Sequence, residues 1–145
     1  MIYYIADNHF GHKNVIRFDN RPFADTVLMD EVLVHNWNER VTEDDTVYIL
    51  GDCFWKNEEN SVKLIQRLKG HKHLIRGNHD RVHGRLRFYY ESIEHYAEIN
   101  DNDRLVILCH YPIPFYKNQH YGAVMLYGHV HNTREQDFIE KWKRE

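Results

Sequence analysis

Residues 46–80 read TVYILGDCFWKNEENSVKLIQRLKGHKHLIRGNHD, and the spacing of their apolar side chains changes twice. Thr46–Leu50 is an unbroken apolar run too short for a helix and reads as a buried strand. Glu58–Lys69 carries Val62, Ile65 and Leu68 on one helical face, with Asn57 or Asn60 to cap its start and Gly70 to stop it. His73–Arg76 returns to a short strand. Working outward, Met1–Ala6 reads as another buried strand followed by a loop. Asp25–Arg40 has a helical stripe through Met29, Val32, Leu33 and Trp37, with Asp25 or Thr26 as its cap. Beyond Asp80 the chain is polar and irregular to Arg87, and Phe88–Ile99 then has a mixed period that ends in strand-like alternation. The turn Asn100–Asp103 joins it to Arg104–Cys109 as an antiparallel hairpin. Ala123–Tyr127 is a last strand and Thr133–Lys143 a polar helix. This order predicts an α/β layering with a mixed sheet.

The 145 residues show no repeat, low-complexity tract or linker, so a single domain over residues 1–145 is expected. Net charge is −3, from 19 basic and 22 acidic residues, and no whole-chain basic field points to a nucleic-acid partner. No apolar run approaches the ~20 residues that a bilayer helix needs. Met1–Ala6 lacks a basic leader region and its apolar stretch stops at Asp7, which predicts an unprocessed, cytoplasmic chain without a membrane partner. Two cysteines without a Cys-x-x-Cys pair argue against a disulfide scaffold or zinc ribbon. Twelve histidines are a heavy load for the commonest metal-ligating side chain.

Those histidines are explained by position. Asp7 and His9 follow the first strand, Asp52 the second, and Asn78, His79 and Asp80 the third. His110 follows the hairpin strand, and His129 and His131 the last. Ligands of open α/β sheets bind beyond the carboxyl ends of strands, so these clusters are expected to meet in one crevice. Oxygen and imidazole donors without thiolate suit Mn, Fe or Zn. In an extended segment, the spacing of two in Asp7-x-His9 and His129-x-His131 places each pair on one side, where it can chelate together. The same alternation turns Cys53 and Cys109 toward packing. Asp7-Asn8-His9, Gly51-Asp52 and Gly77–Asp80 are each an ordinary turn when taken alone, and His129-x-His131 after Gly128 is moderately specific for metal; the ordered set points to metal. His35, His71, His73 and His95 read as surface or half-buried residues.

The ordered blocks DNH, GD, GNHD, CH and GHVH resemble those of the calcineurin-like metallophosphoesterase superfamily. The opening DNHFGHKNVIRFDNRPF resembles a group of small, cap-less bacterial and phage phosphoesterases within it, and the likeness runs from Ile2 to His131. The resemblance implies a four-layer α/β/β/α sandwich with two mixed β-sheets and a centre of two divalent ions, manganese first among Mn, Fe and Zn. By position, Asp7, His9, Asp52 and His131 resemble the ligands of one ion, and Asp52, Asn78, His110 and His129 those of the other, with Asp52 as the bridge. His79 matches the catalytic histidine. The implied reaction is in-line attack on phosphorus by a metal-bridging hydroxide, with protonated His79 donating to the departing oxygen. Some members place an acid after the Gly-Asp block to orient that histidine. Here Phe54, Trp55 and Lys56 stand there, and Asp80 is the expected substitute. Many relatives also continue with further strands after the last histidine, which implies an abbreviated second sheet here.

Around this centre, His12, Lys13, Arg17, Arg21, Arg76 and Arg81 are candidate phosphate or base contacts. Arg21 is favoured because a guanidinium fork matches phosphate oxygens and Pro22 restrains its loop. His12 is favoured because it lies three residues after His9. Tyr111, Phe115, Tyr116 and Tyr121 would either wall a nucleobase or pack in the core. The expected activity is hydrolysis of a small, nucleotide-like phosphomonoester or phosphodiester. A nuclease acting on single strands or RNA ends is one alternative, although no basic stripe supports it. A metal-stabilised binding protein without turnover is another, although such a scaffold needs no leaving-group acid like His79.

Overall fold

The computed structural model describes residues 1–144. Four strands, β1 (Ile2–Ile5), β2 (Thr46–Ile49), β3 (His71–Ile75) and β4 (Ser92–Glu94), form one sheet in sequence order. Three more, β5 (Tyr96–Asp101), β6 (Arg104–Cys109) and β7 (Val124–Leu126), form a second. The helices are α1 (Lys13–Phe18), α2 (Thr26–Arg40), α3 (Glu58–Ile65) and α4 (Arg134–Trp142), with a 3₁₀ turn at Leu86–Tyr89.

The first sheet is all-parallel rather than mixed. Each of its connections crosses over through a helix or the Leu86–Tyr89 turn and returns the chain in the same direction. The second sheet is mixed: β5 and β6 form the expected antiparallel hairpin, and β7 runs parallel to β6. The hairpin reverses at Asn102 and Asp103, with φ of 49° and 63°, the left-handed pair that a two-residue turn demands. The segment Phe88–Ile99 divides at His95 between the two sheets, β4 completing one and β5 opening the other.

Alternation along the strands sorts the core. Tyr3, Ile5, Val47, Ile49, Leu74 and Ile93 face Val34, Trp37 and Val41 of the α2 region and Val62, Ile65 and Leu68 of the α3 region. Tyr4, Ala6, Tyr48, Leu50 and Ile75 face Ala97, Ile99, Val106, Leu108, Val124 and Leu126 of the second sheet. The parallel sheet is therefore covered on both faces, as parallel sheets are, and each fully buried aliphatic side chain contributes about 1.5–3 kcal/mol. The Tyr4 hydroxyl donates to Asp101 Oδ2 (2.8 Å) and ties the sheets together.

Asp25 caps α2 by accepting from the Leu28 N–H, and Asn57 caps α3 by accepting from the Asn60 N–H, as the sequence predicts. Helix α3 stops at Ile65 instead of Lys69, because the chain tightens: Arg67 N–H donates to Leu64 O and Leu68 N–H to Ile65 O. Helix α1 lies where the sequence predicts a loop. Its six residues bury only Val15, too little to register as a periodic stripe. Among the described residues no helix is long and apolar enough to cross a membrane.

Candidate metal centre and active site

Past β1 and β2 the two loops continue side by side. Asp7 N–H donates to Gly51 O (3.1 Å), His9 N–H to Asp52 O (2.9 Å) and Phe10 N–H to Cys53 O (2.9 Å), before Trp55 N–H returns to Phe10 O (2.8 Å). The stacked Phe10 and Phe54, both buried, anchor this extension. The loops after β3, β6 and β7 arrive at the same edge and bring the remaining polar residues with them.

Two groups of donor atoms result, each with its members within 4.8 Å of one another: Asp7, His9 and His131 in one, Asp52, His110 and His129 in the other. Asp52 reaches both. Its Oδ2 lies 3.5 Å from His110 Nε2 and 3.8 Å from His9 Nε2. Asn78 Oδ1 joins the second group, 3.1 Å from His110 Nε2 and 3.2 Å from His129 Nδ1. In the first group Asp7 Oδ1 lies 3.7 Å from His131 Nε2 and 3.9 Å from His9 Nε2. The separations within the first group and from Asp52 to His9 exceed a hydrogen bond and suit donors that share an ion at roughly 2 Å.

The surroundings fit that use. His9 Nε2 is buried with no hydrogen-bond partner, which is costly in a protein interior unless an ion engages it. The His9 Nδ1 pairs with His12 Nδ1 (2.9 Å), and the His110 Nδ1 donates to Leu50 O (2.7 Å), so each ring keeps Nε2 for the cluster. Asp19 Oδ1 stands 3.5 Å from His131 Nδ1, behind the ring's inward nitrogen. Burial pulls His9 down to about 3 and lowers His129, which keeps both imidazoles in the neutral, ligating form. Burial also opposes charge on His110, but the Asp52 carboxylate and the Leu50 carbonyl outweigh it and raise this ring. Burial raises Asp7. For Asp52 the same effect is overcome by the His110 ring and the His79 N–H, and its carboxyl is lowered.

The extended ligand pairs expected from the spacing of two do not form. Asp7, His9, Asp52, His129 and His131 all have φ between 45° and 73°, so these segments are not extended. Left-handed backbone, which Asp and His tolerate better than most residues, brings Asp7 and His9 into one group but sends His129 and His131 into different ones. This division is the one that the family resemblance implies.

Small residues keep the loops close. A Cβ on Gly77 would collide with Asp52 Oδ1 and lie 2.7 Å from Asp52 N; one on Gly51, which has φ of 88°, would collide with His110 Nδ1. Gly77→Ala is expected to displace the Asp52 carboxylate and weaken Mn²⁺ binding at least ~10-fold, the lower range for disturbing a ligand's support. Calorimetric titration measures this, and unchanged affinity would contradict it.

Four of the expected catalytic or substrate contacts are engaged by the protein itself. Arg21 donates from Nη2 to Asp7 O (2.7 Å), from Nη1 to Asn8 O (2.7 Å) and from Nε to Asp19 Oδ2 (3.0 Å), so it clamps the ligand loop rather than facing a phosphate. Arg76 Nη2 donates to Asp80 O (3.2 Å) and braces the loop after β3. His12 is buried behind His9 and stacks on Trp55, with centroids 3.8 Å apart and planes 7° from parallel. Asp80 does not orient the His79 ring. Its buried carboxylate accepts from Asp52 N (2.8 Å), Cys53 N (3.0 Å) and Gly77 N (2.7 Å), which locks two ligand loops together. Asp80→Ala strands three N–H groups at about 1–3 kcal/mol each. A loss of at least ~3 kcal/mol is expected in urea unfolding, and an unchanged midpoint would contradict it.

His79 is exposed at the rim, with its N–H donated to Asp52 Oδ1 (3.0 Å). The sequence reading missed two aromatic walls. Trp55 lies 4.4 Å from His79, and Phe18 meets His9, His12 and His131 edge-on. Of the proposed tyrosine and phenylalanine wall only Tyr111 approaches, 4.7 Å from His129; Phe115 and Tyr116 line a separate cavity with Ile139 and Trp142, and Tyr121 is exposed. Cys53 is buried, which pushes its thiol well up, and it belongs to the core. His35, His71 and His73 pair with Glu39, Glu91 and Ser92, away from the centre.

No family model matches the sequence. Over 132 residues the chain is 35% identical to the uncharacterized protein MJ1445 of Methanocaldococcus jannaschii, covering 90% of this chain and 69% of that one. It is 38% identical over 85 residues to the gene 66 protein of Mycobacterium phage L5, covering 56% of this chain and 40% of the phage protein. Among solved structures, that of the protein of unknown function AQ665 from Aquifex aeolicus matches with a TM-score of 0.73 and 28% identity, over 96% of this chain and 86% of that one.

Proposed function

We propose, for a chain that belongs to the family of the Methanocaldococcus jannaschii protein MJ1445, metal-dependent hydrolysis of a small phosphate ester. One observation carries the reading: two His/Asp groups share the reach of a single carboxylate, Asp52, with His79 tethered to that same carboxylate. Asp7, His9, Asp52 and His131 would hold one divalent ion, and Asp52, Asn78, His110 and His129 a second, with manganese favoured over iron or zinc. Such ions supply Lewis acidity toward phosphoryl oxygens and a nucleophile at neutral pH. The ordered motifs support membership of the calcineurin-like metallophosphoesterases. Helices α2 and α3 on one face of the parallel sheet and the second sheet on its other face supply three of the layers in the four-layer arrangement of that superfamily.

The protein's own groups divide the remaining work. Asp7 and Asp52 provide the negative charge that retains cations, and Asn78 and the imidazoles of His9, His110, His129 and His131 complete the donor set. His79 Nδ1 or Nε2 carries a proton to the leaving oxygen, held near it by the backbone tether to Asp52. In the net reaction the phosphorus–oxygen ester bond breaks, the oxygen of water bonds to phosphorus, and one proton of that water ends on the released alcohol.

Elemental analysis with melting curves in Mn²⁺ and in chelator, followed by assays of p-nitrophenyl phosphate and its bis ester, tests the reading. About two ions per chain, a higher melting temperature with Mn²⁺ and chelator-sensitive hydrolysis are expected. Metal binding with no ester hydrolysed would overturn it in favour of a metal-stabilised binding protein. Faster cutting of single strands than of small esters would overturn it in favour of a nuclease.

A further inference from the structure

A cleft of about 460 Å³ opens at Asn78 and His79 and shares Asn78 with the candidate metal centre. Phe54, Val82, Leu86 and Tyr90 supply apolar lining, and Trp55 supplies an aromatic wall that remains 42% exposed. The polar groups around it are largely spent. Asp80 accepts three backbone N–H groups, Lys56 Nζ pairs with Asp30 Oδ2 (2.9 Å), and Asn57 caps α3. Arg81 is exposed and lines the cleft, with no side-chain hydrogen bond or ion pair among the described residues.

This combination has a chemical meaning. The volume falls within the ~300–1,000 Å³ of small-molecule sites, and the lining is divided about evenly between apolar and polar surface. The lining offers no uncommitted carboxylate, so a cationic group gains nothing there. His12 packs flat against one face of Trp55 and holds the indole in place. A wall already immobile loses little further freedom when a ligand settles on it.

Resting on the phosphoesterase reading, we infer that this cleft seats the organic group of the ester and selects a planar ring of nucleobase type, which contacts Trp55 while Arg81 donates to acceptor atoms on its edge. Trp55 and Arg81 are thus specificity-determining residues, and a phosphoryl group at the metal centre directs its substituent past His79 into the cleft.

The test compares two ligands that cannot be hydrolysed, methylphosphonate and a nucleoside 5′-phosphonate, by calorimetric titration of the Mn²⁺-loaded full chain. The nucleoside ligand is expected to bind at least ~10-fold tighter, the scale of stacking one base on an aromatic side chain. In Trp55→Ala and in Arg81→Ala the ratio of the two affinities should fall toward one, and Trp55→Phe, which keeps a ring, should restore most of it. Equal affinities in the parent protein, or a ratio unchanged in both alanine variants, would overturn the inference. If methylphosphonate binds and esters are hydrolysed without any nucleoside preference, the cleft assignment alone fails. If the preference holds but no ester is hydrolysed, the phosphoesterase reading fails instead.

Discussion

Asp52→Asn is expected to hold fewer than two divalent ions per chain and to lose at least ~100-fold in ester hydrolysis. The carboxamide is nearly the same size as the carboxylate, and the Asp52 backbone N–H and carbonyl bonds to Asp80 and His9 survive, so the fold should persist. The change falls on the group between the two clusters. Oδ2 now stands within 4 Å of both His9 Nε2 and His110 Nε2 as an anion; an amide there removes that charge from both sites at once. Disturbing a ligand's supporting partner alone costs 10–100-fold in affinity or activity, so losing the shared anion belongs at or beyond the upper end. Elemental analysis of the folded variant measures the occupancy. Two ions per chain would refute the bridging role.

His79→Ala is expected to keep both ions and lose at least ~100-fold in kcat, the scale of removing a positioned general acid. Its side chain belongs to neither donor group, and its tether to Asp52 is made by the backbone N–H, which alanine retains. The effect should shrink for esters whose leaving group is already a weak base, because p-nitrophenolate departs without protonation while an alkoxide does not. Side-by-side rates on p-nitrophenyl and alkyl esters measure this. Equal loss on both would leave His79 in binding rather than proton transfer, and unchanged turnover would remove it from the mechanism.

The residues of the site differ in how readily the sequence reveals them. Asp7, Asp52, Asn78, His110, His129 and His131 are legible because each comes just after a short apolar run, and parallel strands carry the loops at their carboxyl ends to one edge. The same logic misjudges Asp80 and Arg21. Both residue types suit catalysis or phosphate binding, and residue type carries no record of which backbone groups lie nearby once the chain is folded. Their partners, Asp52 N, Cys53 N and Asp7 O among them, are distant in sequence or depend on loop shape. Trp55 and Phe18 escape notice as walls for a similar reason: a lone aromatic residue in a loop looks alike whether it closes a core or flanks a site.

Alternation of apolar residues, the capping side chains Asp25 and Asn57, and the hairpin turn at Asn102–Asp103 depend on neighbours a few positions away, so strands, helices and the edge that gathers the ligands follow from local chemistry. Only the folded chain decides that β4 and β5 part into different sheets, how His129 and His131, which the family motifs already assign to different ions, are turned apart, and that Asp80 clamps loops. Those outcomes are set by left-handed backbone at the ligands and by hydrogen bonds between loops that meet only after both sheets have packed.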